Sequence, residues 1–338
     1  MRVLFITPYY YPYIGGVEYV VKSIAERLED SVVLCGDPSI KSTKIEQISR
    51  VTVVRHPVFC PFGVYQIPKD ITSLKKIIKK LGDVEIVHVH SAHSIFSVYC
   101  GILVKKIHKD LSLVFTPHYI GIRNTLNKVL WVFWKQKLNQ LLKISKKVQI
   151  LSLTEKDAFL SMFPFIEEKI EIIPNGVEND TFSYRYSGDG DYILFSGRIE
   201  KYKGLDLLPK LGEKLGLSVL IVGKGKYSKK LKKYKNVSVS APKPRKEYLK
   251  LIASARYAAN TSMYEALSIF VMECMAIGTP IFVTKPILKS VQSFIYGYEE
   301  SDNARIKVND TEFYLVRGGK VPSWDEVVKM ILYRLYCR

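Results

Sequence analysis

Short apolar runs alternate with amphipathic stretches along the first half of this 338-residue chain. The first run, residues 3–6, is uniformly apolar, which is typical of a strand covered on both faces in a parallel sheet. A loop over 9–16 ends in Gly15-Gly16, and a helix is predicted over 17–28 because apolar residues recur there at helical spacing. This order of strand, glycine loop and helix predicts a doubly wound α/β domain.

The same alternation continues, and it starts again after a polar stretch over 178–191 that is predicted to be a linker. Before the linker, strands are predicted at 31–35, 51–55, 84–89, 112–116, 148–151 and 169–173, and helices at 70–81, 94–108, 125–144 and 154–161. After it, strands are predicted at 192–195, 218–222, 236–239, 257–260 and 280–283, and helices at 204–215, 227–234, 245–254 and 268–277. The chain is therefore expected to form two domains, 1–178 and 179–320, and a closing helix within 321–338.

The net charge of the chain is its most unusual bulk property. It is +19, from 51 Lys and Arg against 32 Asp and Glu. Such an excess indicates an anionic partner, and composition alone leaves nucleic acid, an anionic membrane surface and a phosphorylated small molecule open. The hydrophobic fraction of 47% excludes a disordered chain.

The cysteines and the longest uncharged segment bear on where the protein works. The five cysteines form no CxxC pair, and an odd number favours a reducing compartment, so a cytoplasmic location is expected. Residues 86–104 carry no formal charge, but they include His88, His90 and His93, which hydrocarbon would penalise. No membrane span is therefore predicted.

Two features of the first domain are candidates for chemistry. Gly15 and Gly16 stand where a helix begins, and helix N-terminal N–H groups attract phosphate. His118 follows the strand predicted at 112–116, and the carboxyl ends of strands face the ligand crevice in doubly wound sheets. Glycine-rich loops and single histidines are also common structural features, so a structural interpretation of each stays open.

The first loop of the second domain carries two cations. Arg198 and Lys203 follow its first predicted strand, in the sequence Gly197-Arg198 to Lys203-Gly204. A forked guanidinium together with an ammonium group suits a diphosphate. The alternative is a solvated basic loop in a basic protein.

Two acids lie eight positions apart later in the second domain, Glu265 and Glu273. If Glu265 precedes the helix predicted over 268–277, the unpaired N–H groups at its start point into the crevice. Glu273 then lies inside that helix, where a carboxylate can accept hydrogen bonds from a vicinal diol such as ribose. Its neighbours are apolar, and a buried acid is costly without a partner. The alternative is an exposed glutamate on a narrow polar stripe.

Taken in chain order, these motifs resemble the retaining glycosyltransferases of family 4, and the resemblance covers nearly the whole chain. It also includes the sequences Thr116-Pro117-His118-Tyr119, Pro174-Asn175-Gly176-Val177, Val222-Gly223-Lys224-Gly225 and Ala276-Ile277-Gly278-Thr279-Pro280. The resemblance implies an α/β protein with the GT-B fold, in which two doubly wound Rossmann-like domains face each other across a cleft. The first is the acceptor-side domain, the second binds the donor, and the closing helix is expected to cross back to the first.

The resemblance also implies where a nucleotide-sugar donor binds. Arg198 and Lys203 are expected to bind the diphosphate and stabilise it as it leaves, and Glu273 is expected to bind the ribose hydroxyls. Other positions are expected to complete the donor site, mainly through backbone groups: Gly15, Gly16, Gly197, Gly223, Leu267, Ser268 and Ile269. A UDP-sugar is the favoured donor and a GDP-sugar the alternative, with no further cofactor.

The implied reaction moves a sugar to an acceptor hydroxyl with retention of anomeric configuration. Glu265 is expected to contact hydroxyls of the transferred sugar, and His118 to touch the sugar near its reacting face. Because charge builds on the leaving diphosphate, cations and a helix N-terminus can stabilise it in place of a metal. No metal site is predicted, since Asp189-Gly190-Asp191 is interpreted as a turn in the linker.

The chain departs from the family pattern at two places. Ala266 and Ser268 stand where family members usually have glycines, which alters the fit near the sugar more than the backbone donors. After the strand at 280–283, the chain has Lys285-Pro286-Ile287-Leu288-Lys289 in place of the usual Gly-Gly-x-Pro-Glu run. The usual contacts of that loop are therefore in doubt.

A basic segment over 121–150 bears on the acceptor. It has seven bases and no acid, together with Trp131, Phe133 and Trp134. The bases are Arg123, Lys128, Lys135, Lys137, Lys143, Lys146 and Lys147. A basic helix with aromatic residues can lie on an anionic membrane, which would suit a lipid-linked acceptor. The alternative is a domain helix with its aromatic residues in the core, and a glycan or protein acceptor also remains open.

Two other functions compete with glycosyl transfer. A GT-B epimerase acting on a nucleotide sugar would share the fold. A nucleic-acid-binding protein would explain the net charge, but it would bind with a steep dependence on salt and would not need Glu273. The motifs favour the transferase, with no nucleic-acid partner.

Overall fold

The structure, a computed structural model of the chain, describes residues 1–13, 15–61, 65–81, 83–119, 121, 125–292 and 299–337. It divides into two compact units. Unit 1 comprises Met1–Leu151, Glu155–Ile173 and Asp325–Arg338, and unit 2 comprises Ser152–Thr154 and Pro174–Trp324. The last part of the chain therefore belongs to unit 1.

The described part of unit 1 is built on a nine-stranded sheet with the order β3-β4-β2-β1-β6-β7-β8-β9, and β5 pairs with β4. Its strands are β1 (Arg2–Thr7), β2 (Asp30–Asp37), β3 (Lys44–Ile48), β4 (Val51–Phe59), β5 (Ile67–Pro68), β6 (Ile86–His90), β7 (Ser112–Thr116), β8 (Lys147–Ile150) and β9 (Ile170–Ile172). Neighbouring strands are parallel except that β3 and β5 run antiparallel to β4.

The helices of the same part of the chain follow from amphipathic sequence and from caps. They are α1 (Gly16–Ala25), α2 (Ile71–Lys79), α3 (Ile95–Ile107), α4 (Thr125–Ile144) and α5 (Leu153–Leu160). Asp70 and Ser94 cap α2 and α3 by accepting hydrogen bonds from backbone N–H groups of the first turn. The apolar strand residues, such as Ile6, Val89 and Phe115, are fully buried beneath the helices.

Unit 2 contains a seven-stranded sheet in its described residues, with the order β12-β11-β10-β13-β14-β16-β15. Its strands are β10 (Gly190–Ser196), β11 (Ser218–Val222), β12 (Val237–Ser240), β13 (Ala255–Asn260), β14 (Ile281–Thr284), β15 (Glu299–Val308) and β16 (Thr311–Arg317). Its helices are α6 (Leu207–Leu215), α7 (Ser228–Leu231), α8 (Arg245–Ser254), α9 (Ile269–Ile277) and α10 (Lys285–Gln292). The strands from β12 to β14 are parallel, and β15 and β16 form an antiparallel hairpin at the edge.

A final helix, α11 (Trp324–Ile331), continues as a π-helical turn over Leu332–Tyr336. Two doubly wound α/β units were predicted from the alternation of strands and helices, and this prediction is confirmed. In each sheet the strand order reverses beside the first strand, between β1 and β6 in unit 1 and between β10 and β13 in unit 2. The carboxyl ends of these strands are the expected place for a ligand.

The structure also differs from the sequence prediction in several places. The alternation does not predict β3, α10 or the β15–β16 hairpin. The predicted linker includes a 3-10 turn over Asn179–Ser183, and β10 begins at Gly190. The interpretation of Asp189-Gly190-Asp191 as a turn is therefore wrong for Gly190 and Asp191, which lie in the strand. Asp191 pairs with Arg256 at 3.2 Å.

Within the described residues, no helix combines the length and the apolar character needed to cross a membrane.

Candidate functional site

The loops that follow β10 and β11 pack against each other through their backbones. The N–H of Gly197 donates to the carbonyl of Val222 at 3.1 Å, and the N–H of Ile199 donates to that of Lys224 at 2.8 Å. A Cβ atom on Gly223 would lie 1.9 Å from the Gly197 carbonyl oxygen. The contact between the loops thus explains the glycine at 223 without a ligand, and its predicted role in donor binding stays a prediction.

Lys203 and Glu265, two residues predicted for one site, form an ion pair. Lys203 ends a 3-10 turn after β10, and Glu265 lies in the loop after β13. Their side chains are only 15% and 12% exposed. The Ser262 hydroxyl donates to the same Glu265 oxygen at 2.8 Å. Burial raises the pKa of Glu265, but Lys203 and neighbouring serine hydroxyls outweigh it and hold that pKa below its ordinary value, so the carboxyl group is charged.

Arg198 lies in the same loop as Lys203 but has a different environment. Its side chain is exposed, and among the described residues it makes no ion pair. The loop itself is fixed further along, where Thr261 donates to the Lys203 carbonyl at 2.6 Å. Gly204 adopts a φ of +66° and approaches the Thr261 carbonyl so closely that a Cβ would lie 2.6 Å from its oxygen.

Helix α9 begins directly after the Glu265 loop. Ser268 is its N-cap residue, but its side chain makes no capping hydrogen bond, and the Asn260 amide donates to its hydroxyl at 3.1 Å. The N–H groups of the first turn lack intrahelical acceptors by helix geometry. The segment just before the helix is held in place, because the Ser152 hydroxyl donates to the backbone carbonyl of Ala266 at 2.8 Å. Leu267, Ser268 and Ile269 are therefore at the start of a helix, where anions are favoured.

Glu273 lies inside α9 and is only 3% exposed. Tyr248 donates to its Oε2 at 2.6 Å, and the Arg245 guanidinium pairs with its Oε1. Burial raises the pKa of Glu273, and Arg245 only partly opposes this effect. Two partners on α8 thus offset the energetic cost of burying this acid. Neither partner was predicted from the sequence. Arg245 and Tyr248 are three residues apart in the sequence, and this spacing could have indicated that they lie on one face of a helix.

In unit 1, His118 follows β7 and has a φ of +47°, which is uncommon for a residue with a side chain. Its Nε2 lies 3.0 Å from Nδ1 of His90. Burial lowers the pKa of His118 to about 3, so the ring is neutral near pH 7. His118 can therefore exchange hydrogen bonds with a hydroxyl but does not supply a positive charge.

His88, which is fully buried, belongs to a neutral hydrogen-bond network. Thr116 donates to Gln149 Oε1 at 2.9 Å, so it accepts from His88 Nε2 at 2.7 Å. The other ring nitrogen then accepts from the hydroxyl of Tyr336 at 2.6 Å. Burial lowers the pKa of His88 to about 3, which agrees with this neutral tautomer.

Glu155, near the start of α5, holds the segment that carries His118. Its carboxylate accepts from the N–H of Tyr119 at 2.5 Å and from the N–H of Leu151 at 2.8 Å. Burial raises the pKa of Glu155 to about 7, although both N–H donors oppose the rise. Glu155 was not predicted from the sequence, although Ser152-x-x-Glu155 has the spacing of a capping box.

The glycine loop of unit 1 differs from those of unit 2. Gly15 is the extended N-cap of α1, and a Cβ on Gly16 would meet nothing within 4 Å. Arg55, which is 4% exposed, pairs with Glu46 at 2.6 Å and also donates to the Tyr11 carbonyl. The loop is therefore held by a buried arginine, and packing among the described residues does not require a glycine at 16.

Two family models match the chain. "Glycosyltransferase Family 4" matches residues 14–181, and "Glycosyl transferases group 1" matches residues 177–293. Together they cover most of the sequence. The chain is a glycosyltransferase of the family 4 type.

Curated relatives differ in how much of this glycosyltransferase they share. The phosphatidylinositol N-acetylglucosaminyltransferase GPI3 subunit of Saccharomyces cerevisiae is 28% identical over 219 residues, which cover 60% of this chain and 47% of the yeast subunit. This chain thus matches about half the length of that relative. An uncharacterized glycosyltransferase of Methanocaldococcus jannaschii is 24% identical, and the match covers 97% of this chain and 96% of the relative.

Solved structures share the fold of this glycosyltransferase. HepE of Anabaena, solved in complex with UDP, is 16% identical with a TM-score of 0.61, covering 83% of this chain and 80% of that one. A glycosyltransferase from Rickettsia africae is 18% identical with a TM-score of 0.61, covering 84% and 79%. These likenesses confirm the predicted GT-B fold with two Rossmann-like domains.

Helix α4 of the glycosyltransferase carries the basic segment. Trp131 is buried, and the Trp134 indole N–H donates to the Ala92 carbonyl at 2.8 Å. Both tryptophans therefore face the core of unit 1, as the alternative interpretation expects. Lys137 and Lys143 are exposed. Arg123 and the side chains of Lys128 and Phe133 lie outside the described residues.

Among the residues that the structure describes, no three His, Cys, Asp or Glu side chains lie together as a potential metal site.

Proposed function

We propose that this glycosyltransferase moves a hexosyl or related sugar from a nucleoside diphosphate sugar to an acceptor hydroxyl, with retention of configuration and without a metal ion. The observation that carries the proposal is the Lys203–Glu265 ion pair of unit 2, which follows β10 and β13 and directly precedes the start of α9. A cation, an acid for sugar hydroxyls and a helix N-terminus are thereby combined in one unit.

The cations act on the leaving group. As the bond between the anomeric carbon and the diphosphate oxygen breaks, negative charge builds on the diphosphate. Lys203 is held by Glu265, Arg198 is exposed in the same loop, and the N-terminus of α9 carries partial positive charge. Groups that stabilise this charge more in the transition state than in the ground state accelerate the reaction. They supply what a metal supplies in other transferases.

The remaining donor groups bind the sugar and the nucleoside. We assign Glu265 to hydroxyls of the transferred sugar and Glu273 to the ribose. Backbone groups at the loops and at the start of α9 complete the site, at Gly15, Gly16, Gly197, Gly223, Leu267, Ser268 and Ile269. UDP is the favoured nucleotide, because the solved relative HepE was crystallised with UDP, and GDP is the alternative.

Retention is the outcome that the resemblance to family 4 implies, and no carboxylate is assigned that could form a covalent intermediate. A retaining glycosidase uses a second carboxylate to form a covalent intermediate. Glu265 is ion-paired with Lys203, which ties up its charge. We propose that the acceptor oxygen bonds to the anomeric carbon on the face from which the diphosphate leaves. Its proton passes to a leaving phosphate oxygen, while the neutral His118 contacts the sugar.

A lipid-linked acceptor at the cytoplasmic face of a membrane fits two observations. The name of the yeast relative includes phosphatidylinositol, and Lys137 and Lys143 of α4 are exposed. The structure also turns Trp131 and Trp134 inward, so contact with lipid headgroups is assigned to the exposed lysines rather than to these two tryptophans. Flotation with anionic and neutral liposomes tests this: we expect recovery with anionic vesicles only, and a Lys137→Glu, Lys143→Glu variant to lose it. Equal recovery with both vesicles would remove the membrane proposal and leave a glycan or protein acceptor.

The donor is identified by a thermal-shift panel of UDP-, GDP- and ADP-sugars, because a ligand that binds only the folded state raises the melting temperature. Mutagenesis tests the assigned residues once the donor is known. We expect Lys203→Ala and Glu273→Ala each to reduce sugar transfer at least tenfold while the fold stays intact. Full activity in both variants would disprove the assignment. A nucleotide sugar converted without any acceptor product would instead indicate the epimerase.

A further inference from the structure

Two residues of α8 determine the position of the Glu273 carboxylate. Tyr248 donates to Oε2 at 2.6 Å, and the Arg245 guanidinium pairs with Oε1, so each oxygen has one protein donor. Arg245 and Tyr248 are three residues apart and therefore lie on the same side of α8. The carboxylate is 4% exposed, so it has little water to replace these partners.

Arg245 is itself held from a second side. Its guanidinium pairs with Asp180 Oδ1 at 3.0 Å and donates to the Thr181 hydroxyl at 2.7 Å. Both partners belong to the 3-10 turn over Asn179–Ser183. The guanidinium also lies over the ring of Tyr248, 5.8 Å from its centroid. The guanidinium faces Asp180 through Nε and Nη2 and meets Glu273 through Nη1 alone. This fixed donor on one oxygen and Tyr248 on the other together restrict the orientation of the carboxylate.

The arrangement leaves acceptor capacity on Glu273. A carboxylate oxygen can accept two hydrogen bonds, so each oxygen retains one after its protein donor is counted. Two neighbouring hydroxyls of a ribose need two such acceptors at a fixed separation and orientation. Burial opposes the charge on Glu273, and Arg245 is the main group that favours the charged form. Removing Arg245 would therefore weaken both the charge and the orientation of the acid.

We propose that Arg245 is a positioning residue that fixes the Glu273 carboxylate for the ribose diol of the donor and so sets a preference for ribonucleotides over 2′-deoxyribonucleotides. This inference rests on the proposed function, because it requires that Glu273 binds the ribose. Arg245 would then set the nucleotide selectivity, although it lies on α8 and is neither of the two motif acids Glu265 and Glu273.

The test compares the binding of UDP and 2′-deoxy-UDP by calorimetry, with GDP and 2′-deoxy-GDP in parallel. One hydrogen bond to a charged group is worth about tenfold or more in affinity, so the unmodified protein should prefer UDP by at least that factor. We expect Arg245→Gln to bind UDP about tenfold more weakly and 2′-deoxy-UDP almost unchanged, so that the preference falls below about threefold. Arg245→Lys should restore part of the preference, because it keeps the charge.

The matched control is Lys246→Gln, which removes an exposed cation from the neighbouring position of α8. It should keep the full preference for UDP. Tyr248→Phe, which preserves volume, provides a second variant and should lower the preference by a smaller factor. An unchanged preference in Arg245→Gln and Tyr248→Phe would overturn the inference while leaving donor binding intact. If the unmodified protein binds none of the four nucleotides, the proposed function fails and the inference fails with it.

Discussion

The two units share a strand order around their first strand, but the polar groups beside the central strands differ in kind. Unit 1 has neutral histidines, with His88 and His90 buried and His118 partly buried, in contact with other uncharged polar groups. Beside the central strands of unit 2 lie the ion pairs Lys203–Glu265 and Arg245–Glu273. Similar topologies thus present a neutral site in one unit and a charged site in the other.

The difference shows that fold and chemistry are set by different residues. The alternation of strands and helices produces the crevice at the switch point in both units. The residues in the following loops then determine which ligand it suits. An anionic diphosphate requires fixed cations, and an acceptor hydroxyl requires neutral hydrogen-bonding partners. The proposed division into a donor unit and an acceptor unit follows this contrast, and each prediction below can break or sharpen it.

The largest expected effect, about 4 kcal/mol once Glu155 is replaced, is the response of unit 1 to acid. Burial lowers the pKa of His88 and His118 to about 3 and also lowers that of His90, so stability is lost as the pH falls through the ordinary histidine value. Between about pH 7.5 and 5.5 this costs about 4 kcal/mol for three histidines. Glu155 offsets about 2 kcal/mol of this loss in stability. Its pKa is raised to about 7 in the folded state, so its protonation over this pH range favours folding.

Hydrogen exchange followed by mass spectrometry measures this loss separately in each unit. We expect protection in unit 1 to fall by about 2 kcal/mol over this pH range, and protection in unit 2 to fall less. A Glu155→Gln variant lacks the stabilising protonation of Glu155, so unit 1 of this variant should lose about 4 kcal/mol of stability over the same pH range. Equal losses in the two units, or a Glu155→Gln variant with the pH response of the unmodified protein, would contradict the contrast between a neutral and a charged site.

The second prediction compares glycine loops. A Cβ on Gly225 would lie 2.0 Å from the Ile199 carbonyl oxygen, so Gly225→Ala should force two backbones apart and destabilise unit 2 by about 3 kcal/mol. Gly16 in unit 1 has open space at this position, so Gly16→Ala should change stability by less than about 0.5 kcal/mol. Urea unfolding measures both changes.

The rate of sugar transfer by the Gly16→Ala variant tests whether the glycine at 16 serves the donor rather than the fold. If the Gly16 backbone approaches the donor diphosphate, an added methyl group should lower sugar transfer about tenfold although the fold is unaffected. A Gly16→Ala enzyme with full activity would remove Gly16 from the donor site. A stable Gly225→Ala protein would show that the contact between the two loops of unit 2 adapts.

The fold was largely predictable because buried parallel strands are short apolar runs, and the two units repeat the same alternation. The β15–β16 hairpin was missed, although Asn309-Asp310 between β-rich segments is a turn signal and Asn309 has a φ of +51°. Helix α10 follows β14 without a connecting loop, so the sequence offers no boundary between them.

The candidate site was predictable only in part. Sequence motifs indicated Lys203 and Glu265, whose residue types suit the chemistry. They did not indicate Arg245, which lies 28 positions before its partner Glu273 on another helix. Nor did they indicate Gln149, which accepts from Thr116 across neighbouring strands. A motif specifies which groups meet the ligand, whereas the partners that hold those groups depend on tertiary packing, which local spacing does not encode.

The smallest expected effect is the coupling within the charged site, and it decides whether that site is held together as a unit. Lys203→Met and Glu265→Gln each leave one largely buried group without its partner, so we expect a double-mutant cycle in urea to give a coupling of about 2 kcal/mol. The exposed pair Arg256–Asp191 of the same unit is the matched control, and its coupling should stay below about 0.5 kcal/mol because water screens it. Equal coupling in the two pairs would mean that burial does not strengthen the Lys203–Glu265 contact. The position of Lys203 would then depend on the backbone of its loop rather than on the acid, and unit 2 would present a mobile cation to the diphosphate.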